Sequence, residues 1–249
     1  MTDSLGFRLK LGIIAPSTNT AVQPEMEAMR PYGVTNHFGR LYIPNDPIRD
    51  DKEFDQLMVN IRASMDDAAR VVMTCEPDRL VLGMSSETFW DGLDGSDRLM
   101  ERMQGIAGGK PVTMGSDAIR EALSRYGSIR RLGIVTPYQP LGDQQVIKFF
   151  TDCGFEVVHL EGLKCATPVK IAHVSEAELR DAFVRVNDPS VEAIVQVGTN
   201  LAAARVAGLA EFWLDKPVLA INTATYWHAL RNSGIEDRIS GYGSLLQEH

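Results

Sequence analysis

The sequence predicts an α/β protein of two pseudo-symmetric halves, each a parallel sheet flanked by helices, with a ligand cleft between them. Three observations predict it. The first is a repeat. Lys10-Leu-Gly-Ile-Ile-Ala-Pro16 returns as Arg131-Leu-Gly-Ile-Val-Thr-Pro137, and Lys110-Pro-Val112 returns as Lys216-Pro-Val218. Arg79-Leu-Val-Leu-Gly-Met-Ser-Ser86 has a looser partner in Ala193-Ile-Val-Gln-Val-Gly-Thr-Asn200, and the order of segments is kept. The second is the alternation of short apolar runs with amphipathic ones, which implies parallel sheets covered on both faces. The third is that the repeated runs end in hydroxyl, amide or glycine residues. Open α/β sheets bind ligands just beyond the carboxyl ends of their strands.

Taken in order, 9–15 is a continuous apolar run stopped by Pro16 and reads as a buried strand. Ser17-Thr-Asn-Thr20 is a loop into a helix over 21–30, where Pro24 is tolerable only near the first turn. Segment 38–43 is a strand and 44–47 a loop. Over 51–75, Phe54, Leu57, Met58, Ile61, Met65, Ala68 and Val72 fall three or four apart, giving one apolar helical stripe that should face the sheet. Segment 79–84 is a strand, 94–106 a helix, 111–115 a strand and 116–126 a helix. The second half repeats this with strands at 132–136, 155–160, 192–197 and 217–221. Its helices fall at 142–152, 175–187, 200–213 and 223–232. Ser175-x-x-Glu178 fits a capping box at the start of the third of these, counted back from the end. The halves divide as 1–117 together with 219–249, against 118–218.

The chain has 249 residues, 44% apolar and 23% charged, with a net charge of −8. That balance argues against nucleic acid or an anionic membrane as partner, since both favour a basic surface. No apolar run is long enough for a membrane span. Cys75, Cys153 and Cys165 are widely spaced with no C-x-x-C pair, and the five histidines show no metal-ligand spacing. The expectation is a cytoplasmic protein without a metal or other cofactor, forming a homo-oligomer.

Four loops could carry chemistry. Ser17 and Asn19 lie in the first, after strand 9–15, where hydroxyl and amide donors suit a carboxylate. The structural alternative is an Asx-turn into the next helix. Ser85 and Ser86 form the second, where two hydroxyls meet a helix start. Tyr138 lies in the third, and Thr199 and Asn200 in the fourth, which is the repeat partner of the second. Convergence of all four on one cleft would make a small-carboxylate site. Glu87 and His228 are the acid/base candidates near such loops. There is no dinucleotide fingerprint, P-loop or G-x-S-x-G motif.

These loops resemble the aspartate/glutamate racemase superfamily, and within it the maleate cis-trans isomerases and arylmalonate decarboxylases. The resemblance runs from Leu11 to Gly243. Pro16-Ser-Thr-Asn-Thr20 resembles the carboxylate-binding first loop, and Tyr138 the tyrosine that helps hold the carboxylate. Met84-Ser85-Ser86 falls where relatives carry a C-T-S-like motif, and Gly198-Thr199-Asn200 where many read C-T-N. Lys216-Pro-Val218 and Gly241-Tyr-Gly243 match the closing segment. The family's chemistry rests on one or two cysteines, and the resemblance puts their positions at Met84 and Gly198. Neither residue can act as nucleophile or acid, while the carboxylate-binding shell is kept. A cysteine placed at 84 and 198 would, on this reading, restore the missing thiols. Cys165, in an irregular stretch, is the one existing thiol that could approach the cleft.

The resemblance therefore implies a cofactor-independent enzyme of the maleate isomerase or arylmalonate decarboxylase type. It would act on a small carboxylic or dicarboxylic acid by some route other than two cysteines, with water or Glu87 carrying the proton. The alternative is a non-catalytic protein that binds or senses a small carboxylate on the same scaffold.

Overall fold

The computed structural model describes residues 3–249. Two four-stranded parallel sheets form the frame. In the first, β1 (Leu9–Pro16) is flanked by β2 (Val34–Leu41) and β3 (Arg79–Leu82), with β4 (Val112–Thr113) beyond β3. In the second, β5 (Arg131–Thr136) is flanked by β6 (Glu156–Gly162) and β7 (Ala193–Gln196), with β8 (Val218–Ala220) beyond β7. The repeat seen in the sequence is kept bond for bond. Gly83 N donates to Ile14 O as its counterpart Val197 N donates to Val135 O, and Leu80 N donates to Pro111 O as Ile194 N donates to Pro217 O. In each sheet the chain leaves the central strand on one side and returns on the other. A crevice is left at the carboxyl ends of β1 and β3, and another at those of β5 and β7.

Helices cover the sheets for local reasons that the sequence contains. In α2 (Asp51–Met73) the Asp50 side chain accepts from Glu53 N at 2.9 Å, and Phe54, Met58, Ile61, Met65, Ala68 and Val72 are buried. In α6 (Glu176–Val186) both bonds of the capping box at Ser175 and Glu178 are present. The remaining helices are α1 (Val22–Ala28), α3 (Gly92–Ile106), α4 (Gly115–Ser124), α5 (Pro140–Asp152), α7 (Ala204–Leu214), α8 (Ile221–Arg231) and α9 (Ser244–Glu248). α8 follows a strand of the second sheet but packs against α4 and α1. The larger apolar core runs across both sheets' helices. Phe89 meets Phe149 edge-on at 4.9 Å, with Phe150 beside them, all fully buried.

Some boundaries differ from the sequence expectation. β2 begins at Val34, not 38, because it is the edge of its sheet and Thr35, Asn36 and His37 sit there half-buried. The helix expected from 200 begins at Ala204, since Gly198 to Ala203 form a turn in which Leu201 N reaches Gly198 O. Short 3-10 turns at Glu87–Phe89 and Val169–His173, and α9, carry too few residues to show a period. Among the described residues no helix is long and apolar enough to cross a membrane.

Candidate active site

The loops after β1, β3, β5 and β7 meet at one cavity between the two sheets. Asn19, Met84, Ser85, Ser86, Tyr138, Gly198, Thr199 and Asn200 all line it. Its volume is about 70 Å³, room for roughly five water molecules or a small organic acid. Three sequence candidates lie elsewhere. Ser17 turns to the chain after β2, where its hydroxyl accepts from Ile43 N at 3.0 Å, a structural clasp. Glu87 is held by Arg62, whose Nε lies 2.8 Å from one carboxylate oxygen and 3.0 Å from the other. Burial pushes its pKa up and the Arg62 guanidinium pulls it back down. It faces a separate surface hollow with Trp90 and Arg102, so it does not reach the cavity that the serines line. His228 also lies outside, on α8, with Nε2 3.2 Å from Glu121 and Nδ1 3.0 Å from the Thr113 hydroxyl.

The cavity's polar lining is one connected network that spans the halves. Asn19 Nδ2 donates to Thr199 Oγ1 at 3.0 Å, and Thr199 Oγ1 donates to Gly83 O at 3.2 Å. Thr199 N donates to Ser85 Oγ at 3.1 Å, and the Ser85 and Tyr138 hydroxyls hydrogen-bond to each other at 2.8 Å. Asn200 Oδ1 accepts from Thr20 N at 2.9 Å while its Nδ2 donates to Pro168 O at 2.9 Å. Asn19 also serves the structural role weighed for it. Its Oδ1 accepts from Ala21 N and Val22 N at 3.0 and 2.9 Å, fixing the turn into α1. Tyr138 is buried, which raises its pKa, so the phenol stays protonated and can donate. Thr136, at the end of β5, accepts from Tyr138 N at 3.1 Å and donates to Asp143, holding that loop in place. The Ser86 hydroxyl makes no capping bond to the turn it begins.

Much of the remaining lining is apolar, and the sequence did not reveal it. Phe54, Leu57 and Ile61 line the cavity from α2, Ile43 and Ile48 from the segment before it, and Ile171 from the segment after β6. The α2 stripe was expected to face only the sheet. At 1.5 Å per residue its 23 residues run about 35 Å, farther than the strands beneath, so its first turns overhang the cavity. Among the described residues no lysine or arginine lines the cavity. A carboxylate there would be held by neutral donors.

Met84 and Gly198 stand where the resemblance expects thiols. Met84 is buried at 1% exposure. Gly198 has φ +110°, and a Cβ built on it would lie 2.5 Å from Pro137 Cδ. A cysteine at 198 is thus opposed by both backbone and neighbour, and simple replacement would not restore a family thiol. Cys165 does line the cavity, beside Pro137, whose carbonyl accepts from Cys165 N at 3.0 Å. Burial pushes its thiol up to about 11.

With this geometry in hand, the comparisons are specific. The profile of the arylmalonate decarboxylase family matches residues 11–246. Maleate isomerase of Alcaligenes faecalis is 22% identical over 246 residues, covering 95% of this chain and 96% of that protein. The crystal structure of the maleate isomerase Iso from Pseudomonas putida S16 superposes with a TM-score of 0.87 at 19% identity, covering 96% and 98% of the two chains. A crystal structure of arylmalonate decarboxylase superposes with a TM-score of 0.76 at 22% identity, covering 95% and 98%.

Proposed function

The chain belongs to the arylmalonate decarboxylase family, and from that premise we propose that it is a cofactor-independent enzyme acting on a small carboxylic acid with an apolar substituent. The observation that carries this is the mixed lining of the cavity, with hydroxyl and amide donors from Asn19, Ser85, Ser86, Tyr138 and Thr199 and apolar side chains from Phe54, Leu57, Ile61 and Ile171. A 1,4-dicarboxylate such as maleate would bring two separated ionised groups and no apolar group to a lining that is largely apolar, where burying a charge without a donor is costly. A malonate carrying an aryl or branched alkyl group has both carboxylates on one carbon and the apolar group opposite. It suits the cavity better.

Decarboxylation then needs little from the protein. The bond between the substituted carbon and one carboxyl breaks, and carbon dioxide leaves. The electron pair passes into the remaining carboxylate as an enediolate, which preorganised neutral donors stabilise without reorganising. The carbon finally takes up a proton to give the monocarboxylic acid. Met84 and Gly198 cannot supply that proton, and Glu87 lies outside the cavity. The Cys165 thiol lines the cavity and, with its pKa raised to about 11, holds its proton at neutral pH, so it is a proton source and not a thiolate nucleophile, with solvent returning the proton after turnover.

The test is incubation with phenylmalonate and with maleate, following carbon dioxide and product. Phenylmalonate should be decarboxylated, and Cys165→Ser should lower turnover by roughly 100-fold with binding little changed. Fumarate formed from maleate, with phenylmalonate untouched, would overturn the reading. Phenylmalonate bound but unchanged would favour the binding or sensing protein, which the untitratable residues at 84 and 198 also suit.

A further inference from the structure

Behind the polar lining of the cavity lies a pair of residues that no step above uses. Glu25, on α1, points its carboxylate at the start of α7 and at α8. Its Oε1 accepts from Ala204 N at 2.8 Å and its Oε2 from Asn222 Nδ2 at 2.6 Å. The same Asn222 Nδ2 donates to Thr199 O at 2.9 Å, so one amide group joins Glu25 to a cavity loop. Asn222 is 1% exposed, and its other polar atom, Oδ1, is buried with no hydrogen-bond partner. A buried acceptor left empty beside a carboxylate is costly as it stands. It gains a donor if the carboxylate takes up a proton.

We infer that Glu25 and Asn222 are positioning residues that couple a proton to the Thr199 loop through rotation of the Asn222 amide. With Glu25 ionised, both neighbours of the amide are acceptors, so Nδ2 must face them and Thr199 O is held. With Glu25 protonated, its O–H needs an acceptor, and the amide turns Oδ1 to receive it. Thr199 O then loses its donor. The one bond formed is the Glu25 O–H, with its proton taken from solvent. The affected peptide unit lies between Thr199, which bonds Asn19 and Ser85, and Asn200, which bonds Thr20.

The surroundings place this exchange in the working range of pH. Desolvation pushes the Glu25 carboxyl up to about 7, opposed by the bonds from Asn222 and Ala204 N. Among the described residues no charged side chain contributes. Glu27 of the same helix pairs with Arg30 just beyond its end, and Arg40 of β2 bonds Pro16 O, Asn19 O and Gln23. The groups that face Glu25 from α7 and α8 are the Ala204 N–H and the Asn222 amide.

The test separates this coupling from the functional reading on which its binding arm rests. In the labelled full-length protein, the Ala204 amide reports the Glu25 proton and the Asn200 amide reports Thr199 O, with which it shares a peptide plane. Both should shift between pH 5.5 and 8.5 with one midpoint near 7. Glu25→Gln should abolish both shifts. Asn222→Ala, which serves if Glu25→Gln fails to fold, should keep the Ala204 shift and remove that of Asn200. Phenylmalonate should bind more tightly at pH 8 than at pH 6 by roughly three- to tenfold, the worth of about one hydrogen bond, and equally at both in Glu25→Gln. An Asn200 shift that persists in either variant, or no shift near pH 7 in the unmodified protein, overturns the inference. If phenylmalonate binds at no pH, the functional reading fails, and the amide shifts still decide the coupling.

Discussion

At the scale of single residues, Tyr138 is the most exposed to a clean test. Its hydroxyl is a neutral donor in a buried position, 2.8 Å from Ser85 Oγ, and its ring packs on Phe54 at 5.7 Å. Tyr138→Phe keeps the ring and removes only the hydroxyl. A hydrogen bond to a charged ligand contributes about 1.5–3 kcal/mol, so phenylmalonate binding should weaken by about tenfold or more, as calorimetry would measure. The thermal midpoint should move little, because Ser85 Oγ keeps its bond from Thr199 N. Unchanged affinity would remove Tyr138 from the site. Asn19 is a poorer probe. Its amide fixes the turn into α1 and the bond to Thr199 at once, so Asn19→Ala would disturb fold and site together.

At the scale of elements, the cavity is roofed by two segments, one from each half, that hold each other. Ile48 N donates to Ala166 O at 2.7 Å, Gln139 Nε2 donates to Ile48 O at 2.7 Å, and Val169 N donates to Asn45 Oδ1 at 3.0 Å. Gln139→Ala removes one of these three bonds, and amide exchange at Ile48 should quicken by roughly five- to tenfold, as expected for about 1 kcal/mol. Exchange at Val81, inside β3, should not change. Equal exchange at Ile48 would mean the roof is not held by this bond. The contrast with the strands shows what a sequence makes legible. The β1 and β5 runs, the α2 stripe and the Ser175–Glu178 box are local patterns, so they can be read without tertiary contacts. The four polar loops were legible because the repeat put them at matching strand ends. The roof, the apolar lining and the Glu87–Arg62 pair each join residues far apart in the chain, and nothing local marks them. Glu25 and Asn222 were hidden for the same reason: each reads as an ordinary helical residue until α1 and α8 meet.

At the scale of the whole molecule, the question is whether the proposed halves, 1–117 with 219–249 and 118–218, behave as separate units. Three features tie them together. The polar network of Asn19, Ser85, Tyr138, Thr199 and Asn200 crosses between them. The buried contact of Phe89 with Phe149 and Phe150 crosses as well. α8 leaves the second sheet and packs on α4 and α1. Losing either half would expose this apolar interface and strand buried polar groups, so unfolding should be one cooperative transition. Denaturation followed by far-ultraviolet dichroism and by tryptophan fluorescence should therefore give coincident curves, since Trp90 and Trp227 lie in one proposed half and Trp213 in the other. Two resolved transitions would show that the halves are independent. The same curves carry a pH signature. Glu25 has its carboxyl raised to about 7, above the ordinary 4.5. Between those values the folded chain keeps a proton that the unfolded chain has released, so stability falls as pH rises. The contribution is complete below about 4.5 and lost once pH has passed through about 7. Asp143, raised to about 6, acts in the same direction, while His228, lowered by burial, acts against it. Glu25→Gln isolates one group from this sum. Relative to the variant, the unmodified protein should lose roughly 2–3 kcal/mol between pH 5 and 7.5, with the single transition preserved throughout. A difference that does not vary with pH would mean that Glu25 ionises in the folded protein as it does in the unfolded chain.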